Sequence, residues 1–136
     1  MAFEIAWEPR GVCKRFFGYV TDEELLQSLI KVESDHRFDT LRFVINDFLE
    51  VEGYAVTEDN VLLIAAIDKA ASLTNPNIGI AIVATDLQIQ ALAKLYATSP
   101  MNVYPTEIFP SVAEARAWIS TNLDKQGLFR PLATAK

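Results

Sequence analysis

The chain has one cysteine, one histidine and no run of basic residues among its 136 positions. A single thiol, Cys13, closes no internal disulfide and builds no thiolate metal cage. That usage fits a reducing compartment and predicts a cytoplasmic protein. Cys13 sits among apolar neighbours and reads as an inert thiol, since a nucleophile needs a depressed pKa and a base. His36 lies in the polar stretch Ser34-Asp35-His36-Arg37 and reads as a surface residue, because a general base needs a positioned partner. With a net charge of −6 and no cluster of Lys and Arg, the chain lacks what nucleic-acid phosphates or an anionic membrane surface would require. No stretch approaches the ~18 uninterrupted apolar residues of a membrane span. The longest run, Val61 to Ile67, is short and flanked by charges. Met1-Ala2-Phe3-Glu4-Ile5 has neither the basic region nor the long apolar core of a signal peptide. There is no Gly-x-Ser-x-Gly elbow, no Walker loop and no EF-hand spacing. No cofactor is therefore expected, and the catalytic case is poor.

Apolar residues make up 51% of the sequence, enough for a folded chain. At this length one domain is the simplest organisation, with roughly two thirds of the unfolded surface buried. Phe3 to Trp7 alternates as a strand, Pro9-Arg10-Gly11 is a turn signal, and Val12 to Val20 reads as a second, hairpin-linked strand. Thr21-Asp22-Glu23-Glu24 is a capping box opening a helix to about Ser34. Asp35 to Thr40 is a polar connection. Leu41 to Asp47 is an apolar run short enough for a strand buried on both faces. Thr57-Glu58-Asp59-Asn60 starts a second helix whose body, Val61 to Ile67, is apolar nearly all round, which predicts burial on more than one side, in a core or against a partner chain. Asn75-Pro76-Asn77 breaks the pattern before a strand at Ile78 to Ala84. Thr85-Asp86-Leu87-Gln88 opens a third helix, with Leu87, Leu92, Leu95 and Tyr96 on one face, ended by Ser99-Pro100. Val103 and Thr106 to Phe109 suggest a short strand, and Ser111-Val112-Ala113-Glu114 caps a fourth helix carrying Ala115, Trp118 and Ile119. Leu128 and Phe129 are candidates to dock, and the last five residues read as loose. The prediction is a single layered α/β domain: a five-stranded mixed sheet, element order β-β-α-β-α-β-α-β-α, flanked by four helices. The first strand is antiparallel and the later ones are parallel through right-handed crossovers. The domain is expected over residues 1–123, with 124–136 as a tail. No repeat, linker or low-complexity segment interrupts it.

Four segments carry a family resemblance in order and spacing. They are Gly18-Tyr19-Val20-Thr21-Asp22-Glu23-Glu24-Leu25, Phe43-Val44-Ile45-Asn46-Asp47-Phe48, Asn75-Pro76 before Ile80-Ala81-Ile82-Val83-Ala84-Thr85-Asp86, and Ala113-Glu114-Ala115-Arg116-Ala117-Trp118-Ile119. Across roughly residues 5 to 120 the chain resembles the SpoIIAA-like family, which is related to STAS domains and distantly to lipid-binding CRAL-TRIO domains. The resemblance implies a small mixed sheet flanked by helices. Its best-known relatives, anti-anti-sigma factors, carry a phosphorylatable Ser at the start of the second helix. In this chain the corresponding region, from Asp47 through Tyr54 to Thr57-Glu58-Asp59, contains no Ser. Thr57 is its hydroxyl of that type, and Glu58 and Asp59 would repel an added phosphate. The resemblance therefore does not bring the switch with it.

In open α/β sheets, ligands bind beyond the carboxyl ends of the strands. That rule points to Asp47, Phe48, Leu49, Val51, Tyr54 and Thr57 after the third strand, and to Thr85 and Asp86 after the fourth. Read as a loop, residues 48–56 carry four large apolar side chains where loops are normally polar. They either fold back over the sheet end as core or form a contact surface or pocket wall. Phe16 or Phe17, Tyr19, Tyr96 and Tyr104 would contribute if the loop faces them. Asp47, Glu50, Glu52, Glu58 and Asp59 could bind a hard cation. Solvated loop charge plus acids at a helix N-terminus is the simpler account, and no metal site is assigned. A receiver-like phosphoacceptor at Asp47 lacks the acidic pair and the Lys it would need. The leading expectation is a non-catalytic interaction or regulatory module, self-associating as a homodimer or docking a protein partner. The alternative is a protein binding a small apolar, lipid-like ligand. An enzyme using the carboxylates at the sheet end, alone or with a metal, ranks last.

Overall fold

A computed structural model describes residues 2–124 and 126–130. Five strands form one sheet in sequence order: β1 (Phe3–Glu8), β2 (Gly11–Thr21), β3 (Phe43–Ala55), β4 (Gly79–Val83) and β5 (Thr106–Phe109). β1 pairs antiparallel with β2, and every later pair is parallel. Between them run helices α1 (Asp22–Glu33), α2 (Glu58–Ala71) and α3 (Leu87–Thr98), and α4 (Val112–Asn122) follows β5. The predicted α/β class, element order and strand directions are those observed.

Parallel strands laid down in sequence order by crossovers of one hand put every crossover helix on the same face. Accordingly, Val32 of α1, Val61 and Ala65 of α2, and Ala93 and Tyr96 of α3 share one core with Val12, Val44, Ile80 and Ile82 of the sheet. On the opposite face Ala115 and Ile119 of α4 pack with Phe43, Ile45, Ala81 and Val83. Beyond α4 the chain turns back: Leu123 bridges Phe129, and the buried Phe129 ring lies against Gly79. The expectation of a loose end concerns residues 132–136, which lie outside the described residues.

The helix starts behave as their sequences require. Thr21 and Glu24 complete a reciprocal capping box, and Ser111 accepts from the Glu24-like position of its own helix, the Glu114 backbone N–H. Thr57 caps α2. Asp86, rather than Thr85, caps α3 by accepting from the Gln88 and Ile89 backbone N–H groups.

Two expectations are corrected. Residues 48–55 are not a loop but the second half of β3. The registers Arg15↔Asp47 then Phe17↔Glu50, and Gly18↔Val51 then Tyr19↔Gly53, each spend one more residue on β3 than on β2. These two bulges turn an inward spacing of two into a spacing of three, so Phe48, Val51 and Tyr54 all reach the helix-covered face. Gly18 sits at the second irregularity with φ +66, in the left-handed region that favours glycine. α2 buries Val61, Ala65 and Asp68 within the domain and leaves Leu62 and Leu63 exposed in the single chain, so burial of its apolar body on a second side would need a partner chain. The second correction is to α3: Leu87 is 80% exposed, and the buried face is Ile89, Ala93 and Tyr96.

Candidate functional site

The face covered by α1, α2 and α3 does not close. A partly open cavity of about 140 Å³ lies between the sheet and these helices. One buried water needs about 10–15 Å³ of comparable space, so the void has room for several. Its walls are mainly apolar: Phe16, Val44, Phe48 and Ile82 from the sheet, Leu29 and Val32 from α1, Ile64 from α2, and Leu92 and Ala93 from α3. Phe48 stacks on Phe16 with ring centroids 4.7 Å apart.

The two ends of the cavity differ. Toward the carboxyl ends of the strands it is bordered by Leu25, Val51, Tyr54, Val56 and Ile89. Here the Tyr54 hydroxyl donates to Gln88 Oε1 (2.9 Å) and lies 3.2 Å from Asp86 Oδ1. Toward the amino ends of the strands the last turns of the three helices bring in Glu33, Asp68 and Tyr96, joined by Lys14 and Asn46 of the sheet, Ser28, and Tyr104 ahead of β5.

That inner end is a buried cluster of ionisable groups. Lys14 is 6% exposed, and its Nζ donates to Ser28 Oγ at 3.3 Å. Tyr96 donates to Asp68 Oδ2 at 2.5 Å, and Tyr104 donates to the Asn75 carbonyl at 2.8 Å. Burial pushes the Lys14 ammonium down to about 8, against the opposing pull of Asp68 and Glu33. Burial, then a hydrogen bond with Asp68 and its negative charge, push Glu33 up to about 9. Burial also raises the Tyr96 and Tyr104 hydroxyls. At neutral pH Glu33 therefore keeps its proton, and the two carboxyls together face one lysine. A largely apolar pocket with a few convergent polar groups of shifted pKa is the usual build of a ligand site.

The residues expected from sequence divide between the faces. Phe48, Val51 and Tyr54 line the cavity, and Asp86 holds the Tyr54 hydroxyl. Asp47 follows Phe43 and Ile45 onto the α4 face by strand alternation and accepts the Leu49 backbone N–H. Leu49 and Thr85 are exposed. Thr57 is held at the start of α2: its backbone N–H and its hydroxyl both donate to Asp22, at 2.9 and 2.8 Å. A phosphate on that hydroxyl would displace this bond and meet the Asp22 carboxylate. Phe16, Tyr96 and Tyr104 join the lining, whereas Tyr19 is 62% exposed. Glu50 is committed to an ion pair with Arg15, which also binds Glu4. Among the described residues, no group of three or more His, Cys, Asp or Glu could hold a metal ion. No helix among them is long and apolar enough to cross a membrane.

Sequence reasoning passed over Lys14, Ser28, Glu33 and Asp68. The signal for two of them was present. Lys14 falls between Val12 and Phe16 on the inward alternation of β2, and Asp68 falls seven residues after Val61 on the buried stripe of α2. A charged residue in such a position asks for a partner.

No family model matches the sequence, and no curated protein matches it. Solved structures do. The anti-sigma factor antagonist SpoIIAA in its unphosphorylated form aligns with a TM-score of 0.58 at 11% identity, over 85% of this chain and 94% of that one. The Bacillus cell fate determinant SpoIIAA in its phosphorylated form aligns with a TM-score of 0.58 at 11% identity, over 85% and 97%. An uncharacterized protein of the DUF3478 family from Shewanella loihica, described as having a SpoIIAA-like fold, aligns with a TM-score of 0.50 at 17% identity, over 86% and 91%. At these identities the likeness is one of architecture, and the architecture of this chain is the SpoIIAA-like, STAS-type fold.

Proposed function

We propose that this domain is a non-catalytic module that binds a small apolar ligand between its sheet and helices α1 to α3. The observation that carries the reading is the cavity of about 140 Å³, apolar along its walls and polar at its inner end. The test is binding of the uncharged fluorophore N-phenyl-1-naphthylamine, together with native mass spectrometry of the purified protein. Saturable fluorescence enhancement, lost when Ala93→Leu fills the cavity from α3, is the expected result. A wild-type protein that leaves the fluorophore unbound and carries no co-purified molecule would sink the reading.

A second reading is regulatory docking of a protein partner or of a second copy. It draws on the exposed Leu62 and Leu63 of α2 and on a solved neighbour that is an anti-sigma factor antagonist. The occupied Thr57 hydroxyl gives no support to phosphorylation as the switch. Light scattering separates the two readings. A dimer that falls apart in Leu62→Glu/Leu63→Glu favours association, and a monomer that binds the fluorophore favours the ligand. A cytoplasmic setting accompanies both, motivated by the single thiol, which burial raises.

A further inference from the structure

We propose that the ligand is a single-chain amphiphile with an uncharged hydroxyl head, bound head-inward between Lys14, Asp68 and Tyr96. This rests on the reading of the cavity as a ligand site and adds its chemistry and its orientation.

The orientation follows from the two ends of the cavity. The border toward the carboxyl ends of the strands, Leu25, Val51, Val56 and Ile89, is apolar except for the Tyr54 hydroxyl, which is already engaged with Gln88 and Asp86. The inner end gathers an ammonium, two carboxyls and two phenols from four different elements and one connecting segment. An amphiphile entering tail-first would bury hydrocarbon against that cluster and leave its own polar group beside one phenol that already has its partners. Head-first, like meets like along the whole length.

The charge of the head follows from a count. Lys14 is one cation. Glu33 keeps its proton at neutral pH, held there by burial and then by its hydrogen bond with Asp68 and the Asp68 charge. The end is therefore balanced before any ligand arrives, and among the described residues no buried side-chain nitrogen or oxygen lacks a partner. A carboxylate head would bring a second negative charge beside Asp68, and an ammonium head would bring a second positive one beside Lys14. Either leaves an uncompensated charge in a poorly solvated place. A hydroxyl adds no charge and matches both partners: it accepts from an ammonium with three donors, of which Ser28 takes one, and it donates to a carboxylate oxygen.

The experiment compares three ligands with one eight-carbon chain, octan-1-ol, octanoate and octylamine, as displacers of N-phenyl-1-naphthylamine from the full chain at pH 7 and constant ionic strength. The expected result is displacement by octan-1-ol at concentrations at least about tenfold lower than by either ion, since only the ions bring an unpaired charge into the site. If the fluorophore itself does not bind, the cavity reading fails and this inference falls with it. If the fluorophore binds and an ionic ligand equals or beats the alcohol, the cavity reading stands and the head-group assignment is overturned. Two substitutions test orientation. Lys14→Met strips the counter-charge from Asp68 and should move the ranking toward octylamine. Asp68→Asn strips it from Lys14 and should move the ranking toward octanoate. Rankings unchanged in both folded variants would overturn head-inward binding, and should a variant fail to fold, the wild-type ranking decides the head group by itself.

Discussion

The two faces of one sheet are built to different standards. On the α4 face, Ile45, Ala81, Val83 and Ala115 are fully buried, and small side chains let the helix sit close. Phe129 covers Gly79 so closely that a Cβ there would come within 2.2 Å of the ring. Trp118 packs at 5.0 Å from Phe129 and 5.6 Å from Phe109, centroid to centroid. On the other face the same strands, through their alternate residues, supply larger apolar side chains and still leave about 140 Å³ unfilled, with Lys14 and Asp68 turned inward. Left dry, a void of that volume would cost on the order of 3 kcal/mol at the rate seen for cavities in protein cores. Since the α4 face shows that this chain packs tightly where nothing needs space, the void is a local property of one face, as expected of a binding site.

The largest test of the contrast removes packing from the tight face. Ile45→Ala should cost about 2–5 kcal/mol, the range for losing a fully buried branched side chain where neighbours cannot collapse. Urea unfolding with an unchanged slope is the measurement. A loss below about 1 kcal/mol would mean that the α4 face is as yielding as the other.

Adding bulk should then separate the faces. Ala115→Leu places three more carbons where nothing is open and should destabilise by about 1–3 kcal/mol. Ala93→Leu makes the same change at the cavity wall and should cost less than about 1 kcal/mol, or stabilise, while excluding the fluorophore. Equal penalties at the two alanines would erase the distinction between the faces.

How much of this was legible in the sequence follows the same division. The tight face reads directly, because Phe43, Ile45, Ala81 and Val83 keep a strict period of two in runs bounded by turn residues. The helix starts read directly too, because Thr21, Thr57 and Ser111 declare themselves by local hydrogen-bonding chemistry. The cavity face is hidden by β3. Its bulges move the inward positions from Val44, Asn46 and Phe48 to Val51 and Tyr54, a spacing no strand template contains. An apolar stretch without alternation reads as a loop. The polar end of the cavity is hidden for a different reason. Lys14, Glu33, Asp68 and Tyr104 lie far apart in sequence, and only the crossovers bring them together. Lys14 and Asp68 each show an inward position in their own element, but nothing local tells either which partner it meets.

A smaller effect is expected at the rim of the open face. Thr57 caps α2 through the Asn60 backbone N–H, and its own hydroxyl is tied to Asp22. Thr57→Ala should cost about 1 kcal/mol, the usual worth of a helix cap. Because the cap lies outside the cavity lining, fluorophore affinity should stay within about twofold, well under the tenfold that 1.4 kcal/mol would produce. A large loss of affinity with little loss of stability would instead make the start of α2 part of the site.

The smallest expected effect, and the one most particular to the open face, is on pH dependence. Glu33 has a folded pKa near 9 against an ordinary value of 4.5. Between those values the unfolded chain releases a proton that the folded chain retains, so stability falls as pH rises through this window. Lys14 has a folded value near 8 against an ordinary 10.5. Between those values the unfolded chain holds a proton that the folded chain lacks, so stability rises with pH there. The carboxyls held low, Glu8, Asp35, Asp86 and Asp124, contribute stability that is lost only below their ordinary range. From pH 5 to 8 the Glu33 slope therefore acts without opposition from them. Because Glu33 is only half-buried, solvent reduces its share. Thermal unfolding at pH 5, 6.5 and 8 should show Tm decreasing in the wild type and nearly level in Glu33→Gln. Ile45→Val, on the face whose core gathers Phe43, Ala81, Val83, Ala115 and Ile119, should keep the wild-type slope at a lower Tm. If Ile45→Val flattened the profile as Glu33→Gln does, the pH dependence would belong to stability in general rather than to the polar end of the cavity.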